Sequence, residues 1–200
     1  MIKRIPALLA ALCAIATLQG CVEMAVVGAG AGVMSAVDRR TTGTQIEDEG
    51  IELRAGNRIG ERFGERAHVN VKAFNRSVLL TGEVPDAAAR SEVEKIVHGV
   101  PSVRSVTNEV QVAGVSAYSA RASDSTITGK VKARFLDANK FNPIHVKVVT
   151  EAGVVYLMGL VTNQEAADAT EIARTTSGVR KVIKVLEYCK TTDEACRPRK

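Results

Sequence analysis

Apolar residues recur along this chain in two spacings, and each spacing appears twice. Ile51, Ala55 and Ile59 fall every fourth residue, as do Ile127, Val131 and Phe135. That is the stripe of a helix with one buried side. Val69, Val71 and Ala73 alternate with polar residues, as in a half-buried strand. Asn75-Arg76 and Glu151-Ala152-Gly153 read as turns, followed by second strands over 77–84 and 154–161. Second helices are predicted over 86–98 and from 162 to about 176. Thr162 opens the latter, with Glu165 three residues on as the partner of a capping box. Last strands fall near 103–112 and 179–188. The order is helix, strand, strand, helix, strand: a small α+β unit with helices packed on a three-stranded sheet.

The two units are copies. His68-Val69-Asn70-Val71 recurs as His145-Val146-Lys147-Val148, an offset of 77 that also pairs Val78 with Val155, Leu80 with Leu157 and Gly82 with Gly159. Asp48 and Ile51 match Asp124 and Ile127 at an offset of 76, as Val103-Arg104-Ser105-Val106 matches Val179-Arg180-Lys181-Val182. Register kept across two strands indicates a duplicated domain. The first copy spans 46–112, a small and polar linker 113–123, the second copy 124–188 and a tail 189–200.

The N-terminal residues carry a different signal. Lys3 and Arg4 precede an apolar run over 5–17, too short to span a bilayer as a stable helix. Leu18-Gln19-Gly20-Cys21 then resembles the lipobox of bacterial lipoproteins. The resemblance implies a signal peptide over 1–20, cleavage before Cys21 and acylation of that cysteine. Several acyl chains make such attachment effectively permanent. Val22 follows where an inner-membrane retention signal would resemble Asp, so the implied address is the periplasmic face of the outer membrane. Residues 21–45 read as a lipidated, Gly/Ala-rich tether. Its Gly28-Ala29-Gly30-Ala31-Gly32 has no preceding strand and no βαβ unit, so it is not a dinucleotide loop.

Of four cysteines, Cys13 leaves with the signal and Cys21 carries lipid, so Cys189 and Cys196 remain as a pair. A disulfide in an oxidising periplasm and a metal site are both readings of such a pair. Without a nearby His the disulfide is favoured. Charge divides unevenly. Residues 46–112 hold nine Lys/Arg against eleven Asp/Glu, a net of −2, while residues 113–200 hold fourteen against nine, a net of +5. The second half therefore suits an anionic partner. Nucleic acid is excluded by compartment; a phospholipid surface is not.

No catalytic residues are expected. His68 and His145 occupy equivalent places in the two copies, and neither these nor His98 stands near a nucleophile–base motif or a metal-ligand spacing. No cofactor or metal is expected either.

Val154 to Val161 with Thr162, Ser177-Gly178-Val179, and Val78-Leu79-Leu80-Thr81-Gly82 resemble the central and C-terminal motifs of BON domains. Arg39-Arg40-Thr41-Thr42-Gly43-Thr44-Gln45 is similar to the lead-in of one subgroup. The whole resembles dual BON-domain outer-membrane lipoproteins. The resemblance implies two tandem BON-like domains, a role in envelope integrity and binding of an anionic phospholipid membrane through the first helix of the second domain. That helix is placed at about 126–138, with Ile127, Lys130, Val131, Lys132 and Arg134 as phospholipid-binding residues. Two readings of it stand open. Its stripe rests on a headgroup layer between flanking cations, or the stripe is domain core with Lys and Arg as its solvated edge. It opens on Ile127 where an interfacial aromatic would anchor better. The alternative function is a lipid-anchored module that binds envelope proteins, those of cell-wall remodelling or outer-membrane assembly.

Overall fold

Both copies fold as their apolar spacing requires, over residues 38–196 as described by a computed structural model. The signal segment, Cys21 and the Gly/Ala-rich stretch up to residue 37 lie outside the described residues. In the first copy, α1 (Thr42–Phe63) starts at Thr41, whose side chain accepts a hydrogen bond from the Thr44 amide. It buries Ile51, Ala55, Ile59 and Phe63. Strands β1 (His68–Phe74) and β2 (Ser77–Val84) pair antiparallel. Helix α2 (Ala87–His98), capped by Asp86, then crosses back to β3 (Ser105–Asn108), which pairs parallel to β2. Asn108 accepts from the Val110 amide at a break in this last strand, which resumes as β4 (Gln111–Val112) beside the far end of β2.

The second copy repeats the plan with α3 (Tyr118–Ala138), β5 (Val146–Glu151), β6 (Val154–Val161), α4 (Asn163–Arg174) and β7 (Lys181–Tyr188). The sheet order is β5-β6-β7, with β6–β7 parallel. The Thr162–Glu165 capping box is formed in both directions. The fold is thus α+β, two mixed sheets each with its helices on one face. Residues 118–123, which composition groups with the linker, form the opening turns of α3. Cys189 and Cys196 close a disulfide just beyond β7, their Cα atoms 6.1 Å apart.

One acid in each copy pins the strand turn. Asp48 on α1 accepts from the Asn75 and Arg76 amides at 2.8 and 2.7 Å. Asp124 on α3 accepts from Ala152 and Gly153, both at 2.8 Å. All four turn residues have positive φ, which two-residue hairpins favour because it matches the twist of the strands. Gly82 and Gly159 are needed for a different reason: a Cβ at either would collide with the carbonyl of His68 or His145 on the adjoining strand.

The strands also decide how the copies meet. On β2, Val78 and Leu80 face the helices of the first copy; on β6, Val155 and Leu157 face those of the second. The intervening residues Leu79, Tyr156 and Met158 point the other way and, with Phe74, form a third buried cluster between the two sheets. Each central strand is therefore buried on both faces. Polar groups ring this cluster. Glu187 accepts from Asn75 and Ser77 and pairs with Arg104, and Lys147 donates to Glu52 at 2.6 Å and to the Ala73 carbonyl at 3.0 Å.

Candidate lipid-facing surface

Helix α3 has two sides of opposite character. Its inner side carries Asp124, Ile127, Val131 and Phe135, and Phe135 meets Phe141 edge-on at 5.0 Å. Ile127 and Val131, two of the expected phospholipid contacts, are only 6% and 0% exposed and belong to the core of the second copy. Gly178, at φ 95°, lies close enough to Ile127 that a Cβ there would stand 3.0 Å from Ile127 Cγ1. The stripe is core, so neither side chain reaches a surface without opening the domain.

The cations divide as well. Arg134 is turned inward and donates to the Ile172 carbonyl at 2.9 Å and to Thr176 Oγ1 at 2.8 Å, so it ties α3 to the end of α4. Lys130 is exposed, its Nζ 3.4 Å from Ser177 Oγ. Lys132 is exposed on the opposite flank, at the edge of a cleft of about 440 Å³ against β1 of the first copy.

The outer side holds residues that the periodicity did not single out. Tyr118 is 84% exposed and Leu136 is 66% exposed. They stand 18 residues apart, five turns at 3.6 residues per turn, and so point the same way from the two ends of α3. Ala122, Gly129 and Ala133 lie between them, within about 60° of the line that joins them at 100° per residue. Arg121 covers one face of the Tyr118 ring at 4.7 Å and donates to the Ser116 carbonyl. The helix thus does open on an aromatic residue, eight positions before the start placed from the sequence. The signal was the 18-residue spacing of Tyr118 and Leu136, hidden because the small residues between them form no apolar stripe.

The lead-in to α1 also acquires roles. Arg39 grips the Glu165 carboxylate with two hydrogen bonds of 2.6 and 2.9 Å and donates to the Leu160 carbonyl. Arg40 pairs with Asp48 at 2.8 Å and lies 4.0 Å from the centre of the Phe74 ring. Burial works against ionisation of Glu165, but Arg39 and the Thr162 amide outweigh it and hold its pKa below the usual value. Glu52 is likewise lowered against the effect of burial, by Lys147, the Ala73 amide and Lys72. Tyr156 goes the other way. Burial first, then the negative charges of Glu109 and Glu151, push its pKa up to about 12.

Among the described residues, no helix is long and apolar enough to cross a membrane. Residues 48–114 and 123–190 each match the family model of the BON domain. The chain is 36% identical to the outer membrane lipoprotein DolP of Haemophilus influenzae, over 86% of this chain and 90% of that protein. It is 35% identical to a 21 kDa hemolysin of Actinobacillus pleuropneumoniae, over 76% of this chain and 79% of the relative. Osmotically-inducible protein Y of Escherichia coli is 35% identical over 57% of this chain and 58% of its own length.

Proposed function

Because the chain belongs to the BON-domain family through both of its halves, we propose that it is an outer-membrane-associated envelope lipoprotein that binds anionic phospholipid through α3. Cys21 supplies the anchor in this reading, which the likeness to an outer membrane lipoprotein of Haemophilus influenzae supports. The observation that carries the lipid reading is the outer side of α3: Tyr118 and Leu136 exposed on one line, with Lys130 and Lys132 on its flanks. An aromatic ring and a leucine enter the interface while the ammonium groups meet phosphate, each worth about 1 kcal/mol near an anionic surface. The net of +5 over residues 113–200 favours the same approach. Ile127, Val131 and Arg134 serve by holding the helix in place.

The test is flotation of the segment from Arg39 onward with vesicles of phosphatidylglycerol and phosphatidylethanolamine. This segment forms one compact unit and omits the acylated cysteine. Replacing Lys130 and Lys132 with Ser should weaken binding by up to ~2 kcal/mol at low salt, and by less as salt screens the surface. Tyr118→Ala and Leu136→Ser should lower binding at every salt concentration, because they remove apolar contact. Unchanged flotation by all these variants, with folding confirmed by circular dichroism, would leave the lipid-anchored protein-interaction module as the better reading. Mass spectrometry of the mature N-terminus tests the anchor: an unmodified Cys21 would end the lipoprotein reading.

A further inference from the structure

The strand register of the first copy sets His68 on β1 directly across from Glu83 on β2. Packing of the two sheets then brings Glu151, at the end of β5, to the same place. One ligand atom from each of the three residues lies within 4.8 Å of the other two. Both carboxylates are buried, each residue only 7% exposed, and among the described residues neither is paired with Lys or Arg. Two buried carboxylates without a cation are costly, since the few hydrogen bonds they accept replace only part of the hydration each loses.

We propose that His68, Glu83 and Glu151 bind a divalent first-row cation of the Zn²⁺ type, joining the two copies. His68 Nδ1 stands 3.3 Å from Glu83 Oε2. That is long for a charge-assisted hydrogen bond, but it is the spacing of two ligands on one tetrahedral ion with bonds of about 2.0–2.1 Å. Each carboxylate is already oriented through one oxygen. Glu151 Oε2 accepts from Asn70 Nδ2 at 2.8 Å and from Thr81 Oγ1 at 3.1 Å, and Glu83 Oε2 accepts from the Ser116 amide at 3.3 Å. Ligands held in this way by surrounding donors are the usual support of a protein metal site. His68 and Glu151 also line the 440 Å³ cleft beside α3, which gives an ion and a completing water a way in. One imidazole with two carboxylates and no thiolate suits Zn²⁺ or a neighbouring transition ion and disfavours Mg²⁺ and Ca²⁺, which take oxygen ligands. The site belongs to the interface and not to the repeated fold. At the offset of 77, Glu83 corresponds to Leu160 and Glu151 to Phe74, so neither copy could hold the ion twice.

The full chain, stripped of metal with a chelator and held in detergent, should bind one equivalent of Zn²⁺ in titration calorimetry. It should also bind Co²⁺ with visible absorption, and Zn²⁺ should raise its Tm. His68→Gln and Glu151→Gln should each weaken Zn²⁺ binding at least tenfold and remove the Tm shift. His145→Gln, at the matching place in the second copy, should leave both unchanged, and millimolar Mg²⁺ or Ca²⁺ should not compete. Circular dichroism accompanies each variant. Among the described residues the His68 side chain bonds only to Glu83, so its Gln variant keeps the sheet contacts and decides the matter even if Glu151→Gln loosens them. No Zn²⁺ binding by the parent chain would overturn the proposal. Binding that persists equally in folded His68→Gln would overturn it as well.

Discussion

Asp48 and Asp124 are set one turn before Ile51 and Ile127, on the side of each helix that faces a strand turn. Each satisfies two amides that would otherwise be left without partners where the chain reverses. Asp124→Ala removes both bonds to an ionised acceptor, so the second copy should lose about 3 kcal/mol, read as a lower urea midpoint. The two turns differ in one residue. Arg76 has φ 63° where the second copy has Gly153 at φ 72°. A non-glycine side chain in the left-handed region costs of order 1 kcal/mol. Arg76→Gly should therefore raise stability by up to that amount, visible as an increase in Tm of a few degrees. The repeat made the turns legible and put the two aspartates in register. It did not reveal what they do, because hydrogen bonds to turn amides leave no periodic trace in a sequence.

Among the elements, the capped ones were the most legible. Thr162 and Glu165 announce α4, and the box forms as the spacing implies. Helix starts without a buried stripe were not legible: the first turns of α3 carry Tyr118, Ala120 and Ala122 around solvent-exposed positions, so no apolar side marks them. Glu165 at the start of α4 ties the box to Arg39, and its ionisation sets a pH dependence. Its folded pKa lies below that of an ordinary glutamate, because Arg39 and Thr162 outweigh the opposing effect of burial. A carboxyl group with a lowered folded pKa contributes stability above its unfolded pKa and loses it as pH falls through the folded value. Glu165→Gln should thus cost about 1–3 kcal/mol at pH 7, since its partners remain part-buried. The gap between variant and parent should close in thermal scans as pH falls below 4.5. A gap that stayed constant down to pH 3 would mean that the carboxylate charge is not what Arg39 holds.

For the whole molecule, the deciding feature is that β2 and β6 bury both faces. The uninterrupted apolar run of β6, Val154 to Val161, is what two-sided burial demands, so that much was written in the sequence. What covers the second face was not, because Leu79 and Met158 look like any other strand residues until the sheets are in place. Their cluster lies apart from the helix-facing cores, so it can be broken without emptying either one. Met158 is 1% exposed there, and Met158→Asp would place a charge among Phe74, Leu79 and Tyr156 at a cost of several kcal/mol. Each copy keeps its own helix-on-sheet core, so the sheets should separate while the secondary structure survives. The expected result is a larger radius of gyration in X-ray scattering with little change in far-ultraviolet circular dichroism. One cooperative thermal transition should also become two. The Lys147–Glu52 pair spans the same interface at its rim, and Lys147→Ala should push in the same direction by a smaller amount. If Met158→Asp unfolded both copies together, the shared cluster would be part of each domain's own stability, and the two copies would be one folding unit.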